Sequence, residues 1–273
     1  MIKHQYKKLL VAIFFFVSSL SYAEISDQSI NKLLDLSGLT MQIDQLPALV
    51  KTIFEQAKQE NTSILDAEYR LMVTSFNESI SPSEIVGAIR ANLKKSINEK
   101  EAQKLLAWYQ SNLGKKITRA EKNASTPRGY RYMMQLEQSL LSNQKRVAFA
   151  NRFDVLTGTT DMAIRLQKHT NITLYSKIMT AIKPDTPLNI KEVKTKTASV
   201  LTRAAVKKMV TLSFVYSYRN IETGKLKKYE AFLNDVTTMK FNKTIMDSMS
   251  REFESSVSKW ADILAKKLKS KKY

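Results

Sequence analysis

The stretch FNKTIMDSMSREFESSVSKWADILAKKL, residues 241–268, decides the fold. Its large apolar side chains, Phe241, Ile245, Met249, Phe253, Val257, Trp260, Leu264 and Leu268, recur at intervals of three and four. That spacing winds into one apolar stripe along a helix, and such a stripe needs a partner to cover it. The segment closes in Lys266, Lys267, Lys269, Lys271 and Lys272. Positive charge there offsets the negative end of the helix dipole. The same lysines are candidate contacts for an anionic surface, at about 1 kcal/mol each beside a charged bilayer, with a solvated tail as the plainer role.

Working outward, the same periodicity returns. Met41, Ile43, Leu46, Val50, Ile53 and Ala57 share a face, as do Leu65, Tyr69, Met72, Phe76 and Ile80, and then Ile85, Ile89, Leu93 and Ile97. Helix starts are marked by Ser81-Pro82-Ser83-Glu84, a capping box with proline in the first turn, by Asn98 with Glu101, by Thr126-Pro127, and by Asn189 with Glu192. Glycine and proline number only 6 and 5 in 273 residues, too few turn formers for a many-stranded sandwich or barrel. The fold class predicted is all-α, a multi-helix bundle built from helical hairpins.

Residues 128–182 keep helical spacing with a break near Leu156–Thr160. Lys183-Pro184-Asp185-Thr186-Pro187 opposes any helix, so the expected organisation is residues 24–182 as one helical unit and residues 188–273 as a second, basic-tailed one. Residues 190–220 read as one helix, although Val210–Tyr218 has the β-branched and aromatic content of a strand. An internal echo links the two units. AWYQSNLGKKI at 107–117 matches AFLNDVTTMKF at 231–241 with a constant offset of 124, setting Trp108 on Phe232, Lys116 on Lys240 and Ile117 on Phe241. Two related helical units follow from it, with chance agreement between amphipathic helices as the alternative.

The first 23 residues have the three parts of a secretory signal: Lys3, Lys7 and Lys8, an apolar run from Leu9 to Val17, and a small polar stretch ending Ser21-Tyr22-Ala23. The run is short of the roughly 20 residues a membrane span needs, so export with cleavage after Ala23 is expected. Charge is unevenly placed. Residues 24–100 carry 8 basic and 11 acidic side chains, and residues 101–273 carry 33 and 14. A surface polarised in this way attracts anionic partners.

Side chains that carry chemistry are scarce. The absence of cysteine excludes disulfides, thiol catalysis and thiolate metal sites, and His4 and His169 are the only histidines. No Asp-x-Asp-x-Asp-Gly loop, Gly-x-Ser-x-Gly elbow or phosphate-binding loop is present, so no catalytic, cofactor or metal residue is assigned. Glu78-Ser79 has the form used by cell-wall lytic transglycosylases, without the Gly-rich and Met-Gln segments that should follow. Arg128-Gly129-Tyr130-Arg131-Tyr132 alternates basic and aromatic residues. It reads as a first helical turn, with Tyr132 and Met133 entering the core, and no nucleic-acid partner is expected.

Around Trp108 the chain resembles a known family. KEAQKLLAWYQSNLGKKIT, Lys100 to Thr118, preceded by the apolar helix Ile85–Ile97, is similar to the exported bacterial family called domain of unknown function 2059. The motif residues are the aromatic pair Trp108-Tyr109, then Gly114, Lys115 and Lys116; the echo has Thr238 in place of the glycine. The resemblance implies a helical, signal-bearing envelope protein and supplies no activity and no catalytic residues. The expectation is therefore a non-enzymatic binding or interaction module. Its basic surface would meet an anionic envelope component or an acidic protein, with peripheral membrane contact. A carrier of an apolar, lipid-like ligand is the alternative, and a cell-wall enzyme comes third.

Overall fold

A computed structural model describes residues 24–60, 65–183, 186–197 and 202–270; the first 23 residues, expected to be a secretory signal, and Pro184, Asp185, Lys271 and Lys272 lie outside them. Among the described residues there are fifteen helices and no strand, only an isolated bridge between Glu24 and Asn98. The helices are α1 (Asp27–Leu36), α2 (Leu39–Asp44), α3 (Leu46–Glu60), α4 (Asp66–Ser79), α5 (Pro82–Ser96), α6 (Glu99–Gln110), α7 (Asn112–Ala124), α8 (Pro127–Gln135), α9 (Glu137–Ser142), α10 (Gln144–Thr157), α11 (Thr159–Ile182), α12 (Ile190–Thr197), α13 (Arg203–Tyr218), α14 (Thr223–Leu233) and α15 (Val236–Ser270).

Caps set the starts. At Asn98 the side chain accepts from the Glu101 amide while Glu101 accepts from the Asn98 amide, both at 2.9 Å, the reciprocal box the sequence predicts. Thr126 accepts from Gly129, and Asn189 from Lys191 and Glu192. Ser81 accepts from the Glu84 amide at 3.3 Å, but the Glu84 carboxylate turns outward to Lys259 at 3.0 Å, so this box is half made. The break near residue 158 is Gly158, whose φ of 67° ends α10 and starts α11.

Two readings depart from the expectation, the single helix over 190–220 and the inward Tyr132, while the helical reading of Val210–Tyr218 holds. Residues 190–220 are not one helix: Thr202 is extended (ψ 157°) and caps α13 by accepting from Ala205. Val210–Tyr218 is helical, because Val206, Val210, Leu212, Val215 and Tyr216 find buried partners on a helical surface, and packing overrides β-propensity. Tyr132 stays 45% exposed beneath the Arg128 guanidinium; Tyr130 packs inward beside Met133 instead.

The largest core cluster joins α1, α2, α4, α5 and α6 to α15 through Phe241, Ile245, Trp260 and Leu264. Each such fully buried side chain contributes on the order of 1.5–3 kcal/mol of transfer free energy. Trp260 seats between Phe54 and Phe76 and donates its indole N–H to the Met72 carbonyl. The chain on either side of residues 183–187 thus shares one core. Two smaller clusters follow: α7, α10, α13 and α14 around Phe153, Tyr218 and Tyr229, and α8, α9, α10 and α13 around Met133 and Leu212.

Helix boundaries repeat at the offset of the echo. Glu99 and Asn112 open α6 and α7, and Thr223 and Val236, each 124 positions on, open α14 and α15. Equivalent positions are buried alike: Ile97 and Ile221, Ala102 and Leu226, Leu105 and Tyr229, Ile117 and Phe241. The repeats interlock. α15 packs on α5, and α7 packs on α13, so the third helix of each repeat covers the first helix of the other.

Candidate functional site

The corner between α6 and α7 is built by Ser111. Its backbone is extended, its hydroxyl donates to the Trp108 carbonyl at 2.6 Å, and it accepts from the Gly114 amide at 3.0 Å. The corner is so tight that a Cβ on Gly114 would lie 2.1 Å from the Trp108 carbonyl oxygen. Leaving it, α7 presents Asn112, Lys116, Arg119 and Asn123 at three- and four-residue spacing along one face, with Lys115 beside them.

That face looks onto the end of α13. Arg146 donates to the carbonyls of Tyr218 and Ile221, holding the turn between α13 and α14. Arg219 donates to the Tyr216 carbonyl at 2.6 Å and lies 3.9 Å from the centre of the Tyr216 ring, so its guanidinium is positioned before any ligand arrives. Between the two elements is a cleft of about 490 Å³, lined by Lys115, Lys116, Arg119 and Arg219, by Asn112, Asn123 and Asn220, by Ser217, and by Ala120 and Ile221. Four cations and no carboxylate line it. Glu222, next along the chain, is held below its ordinary pKa chiefly by the hydrogen bond from Lys225, with Lys116 adding a smaller pull.

Behind the cleft sits a group the sequence reading missed. The Glu121 carboxylate accepts from the Tyr218 hydroxyl at 2.6 Å and from the Tyr229 hydroxyl at 2.8 Å. Burial pushes Glu121 above the ordinary carboxylate value, and the two hydrogen bonds pull it partly back. Burial also raises the pKa of Tyr218 and Tyr229 and of nearby Tyr109, and the neighbouring Glu121 charge adds to it. A sequence signal existed: Glu121 falls four residues after buried Ile117, and its equivalent in the echo, Ile245, is apolar and buried.

The structure brings the motif residues into one neighbourhood with different tasks. Trp108 stacks on Phe232 with centroids 4.3 Å apart, Tyr109 meets Phe232 edge-on, Gly114 forms the corner, and Lys115 and Lys116 line the cleft. Of the tail lysines, Lys266, Lys267 and Lys269 lie on another element, α15. Lys267 pairs with Glu78 at 2.6 Å, while Lys266 and Lys269 line a shallow groove between α11 and α15. Glu78 is thus a surface ion-pair partner, and Ser79 donates to the Phe76 carbonyl. His169 is half-buried beside Thr173. Among the described residues no group of three or more His, Asp or Glu gathers where a metal could sit, and no helix is long and apolar enough to cross a membrane.

Fold and cleft together define an all-α, multi-helix bundle with an internal repeat and a cationic cleft where the repeats meet. Residues 83–138 match the model of the family described as uncharacterized protein conserved in bacteria (DUF2059), the family that the Trp108 segment resembles. The matched span runs from α5 into α9 and holds Glu121 and the cleft residues of α7. Neither the curated proteins nor the solved structures contain a match to this chain.

Proposed function

We propose that this protein is an exported, non-enzymatic envelope protein of the bacterial periplasm that works by binding an anionic partner through its basic surface. One observation carries the reading. Lys115, Lys116, Arg119 and Arg219 gather around a single cleft without a carboxylate among its lining residues. Isolated surface lysines mostly pair or solvate at little gain, whereas cations held together around a concavity focus a positive potential on one place. The excess of basic residues after position 101 supports the same reading, since it draws an anionic partner toward this part of the molecule. Export rests on the leader. Ile25, two residues past the expected cut, is 2% exposed, and the Ser26 amide donates to Glu99, so the chain that remains is anchored from its start.

The test has two arms. N-terminal sequencing of the protein from an osmotic-shock fraction should begin at Glu24; an intact leader on cytosolic protein would overturn export. Flotation of the protein starting at Glu24 with vesicles of phosphatidylglycerol should show binding that falls steeply between low and physiological salt. Binding indifferent to salt, or a lipid-sized molecule carried through purification, would favour the apolar-carrier reading instead.

A further inference from the structure

We infer that the cleft between α7 and the end of α13 is a site for a phosphorylated polyol, either free or as the headgroup of a larger molecule. The inference rests on the anion-binding reading above and narrows it to one place and one ligand chemistry. The internal repeat supplies the comparison that carries it. At positions equivalent to Lys116, Arg119 and Asn123 the second repeat has Lys240, Lys243 and Asp247. There the charges are neutralised: Lys240 binds Glu101 at 3.0 Å and Lys243 binds Asp247 at 2.6 Å. In the first repeat an asparagine replaces the aspartate, and among the described residues neither Lys116 nor Arg119 has an ion pair. The same helical face is therefore closed by carboxylates in one copy, Glu101 of the other repeat and its own Asp247, and in the other copy is left unpaired, with Glu222 near Lys116 but bonded to Lys225.

The lining selects the anion's kind. Arginine forks fit planar or tetrahedral oxyanions, and a phosphate offers several oxygens to cations spread around one cavity, with one charge as a diester and about two as a monoester. A volume of about 490 Å³ is in the range that encloses a small organic molecule, so a bare phosphate would leave much of it empty. Asn112, Asn123 and Asn220 each donate and accept, which suits the hydroxyls of a polyol. The walls come from both repeats, so the site exists only when they are packed together.

The experiment uses the protein starting at Glu24 with two probes: glycerol 3-phosphate by calorimetry, and phosphatidylglycerol vesicles by flotation. Lys116→Gln with Arg119→Gln removes two cleft charges; Lys240→Gln with Lys243→Gln removes two charges at the equivalent positions and serves as the matched control. The cleft pair should weaken binding by roughly tenfold or more, and the control pair by far less. Loss with both probes supports recognition of the free headgroup, and loss with vesicles alone supports the membrane-borne form. Equal weakening by the two pairs overturns the cleft while leaving general surface attraction standing. Absence of binding by the unmodified protein to either probe overturns both. Lys115→Gln, a single change at an exposed position, repeats the test should the double variant melt early.

Discussion

Trp108 and Phe232 lie 124 positions apart and stack face to face, with ring centroids 4.3 Å apart and planes within 8° of parallel. They hold the same place in the two repeats, at the close of α6 and of α14. Equivalent residues touch each other only near the axis that relates two copies, so the stack marks where the repeats meet. Tyr109 and Tyr229 extend it, and Glu121 of the first repeat accepts from Tyr229 of the second.

Truncating either ring should therefore cost more than its own contacts. Trp108→Ala and Phe232→Ala are each expected to destabilise the protein by roughly 2–4 kcal/mol, somewhat below a fully buried aromatic because both rings are half-buried. The double variant should recover about 0.5–1.5 kcal/mol as coupling, read by urea unfolding in a double-mutant cycle. Strict additivity would mean that the stack contributes nothing as a pair.

Two helical glycines should respond to alanine with opposite signs. Gly87 is exposed in the middle of α5 with nothing within 4 Å of a built Cβ, so Gly87→Ala should stabilise by about 0.5–1 kcal/mol through helix propensity. At Gly114 the same Cβ would meet the Trp108 carbonyl oxygen at 2.1 Å and the Tyr109 Cα at 3.0 Å, both backbone atoms that cannot move aside. Gly114→Ala should lower the melting temperature by several degrees, and a neutral outcome would show that the α6–α7 corner is looser than it looks.

Helices were legible wherever apolar spacing was regular and a polar cap preceded it, as at Asn98 and Thr126. The echo was legible because Trp108 and Phe232 share both size and environment. What spacing could not reveal was which stripe meets which. Phe241–Leu264 reads as one long apolar face, and that it covers α4 and α5 depends on long-range packing. Glu121 was passed over because a single charge on a helix is usually solvated, and its two tyrosine partners lie 97 and 108 positions away. Lys115 and Lys116 were marked by the motif, but Arg119 and Arg219 join them only once α7 rests on α13.

The shared core makes a prediction about dissection. A fragment of residues 24–182 lacks Phe241, Ile245, Trp260 and Leu264, which cover Ile85, Ile89 and Leu93 of α5 in the whole protein. Such a fragment should keep helical circular dichroism but lose a sharp thermal transition, with apolar dye binding to the uncovered face. A cooperative melt of that fragment alone would show that the N-terminal helices are self-sufficient.

Glu99 and Glu121 should pull stability in opposite directions as pH changes. Glu99 accepts from the Ser26 amide at 2.9 Å and from Ser29 and Gln103 at 2.6 Å each, and these bonds, the Ser26 amide first, hold its pKa at about 2 against an ordinary 4.5. Stability from this depressed carboxylate is present above its ordinary value and drains away as pH falls toward its folded value. Glu99→Gln should thus be less stable than the unmodified protein at neutral pH, with the gap closing in acid. Glu121 is the reverse case: burial raises its pKa, so its contribution is full below the ordinary carboxylate range and is lost as pH climbs through the raised value. Glutamine there cannot ionise yet still accepts the protons of Tyr218 and Tyr229. Urea midpoints taken between about pH 3 and pH 9 should show Glu121→Gln near the unmodified protein in acid and above it at neutral pH. A Glu121→Gln protein weaker at every pH would mean that the negative charge itself is what the tyrosines require.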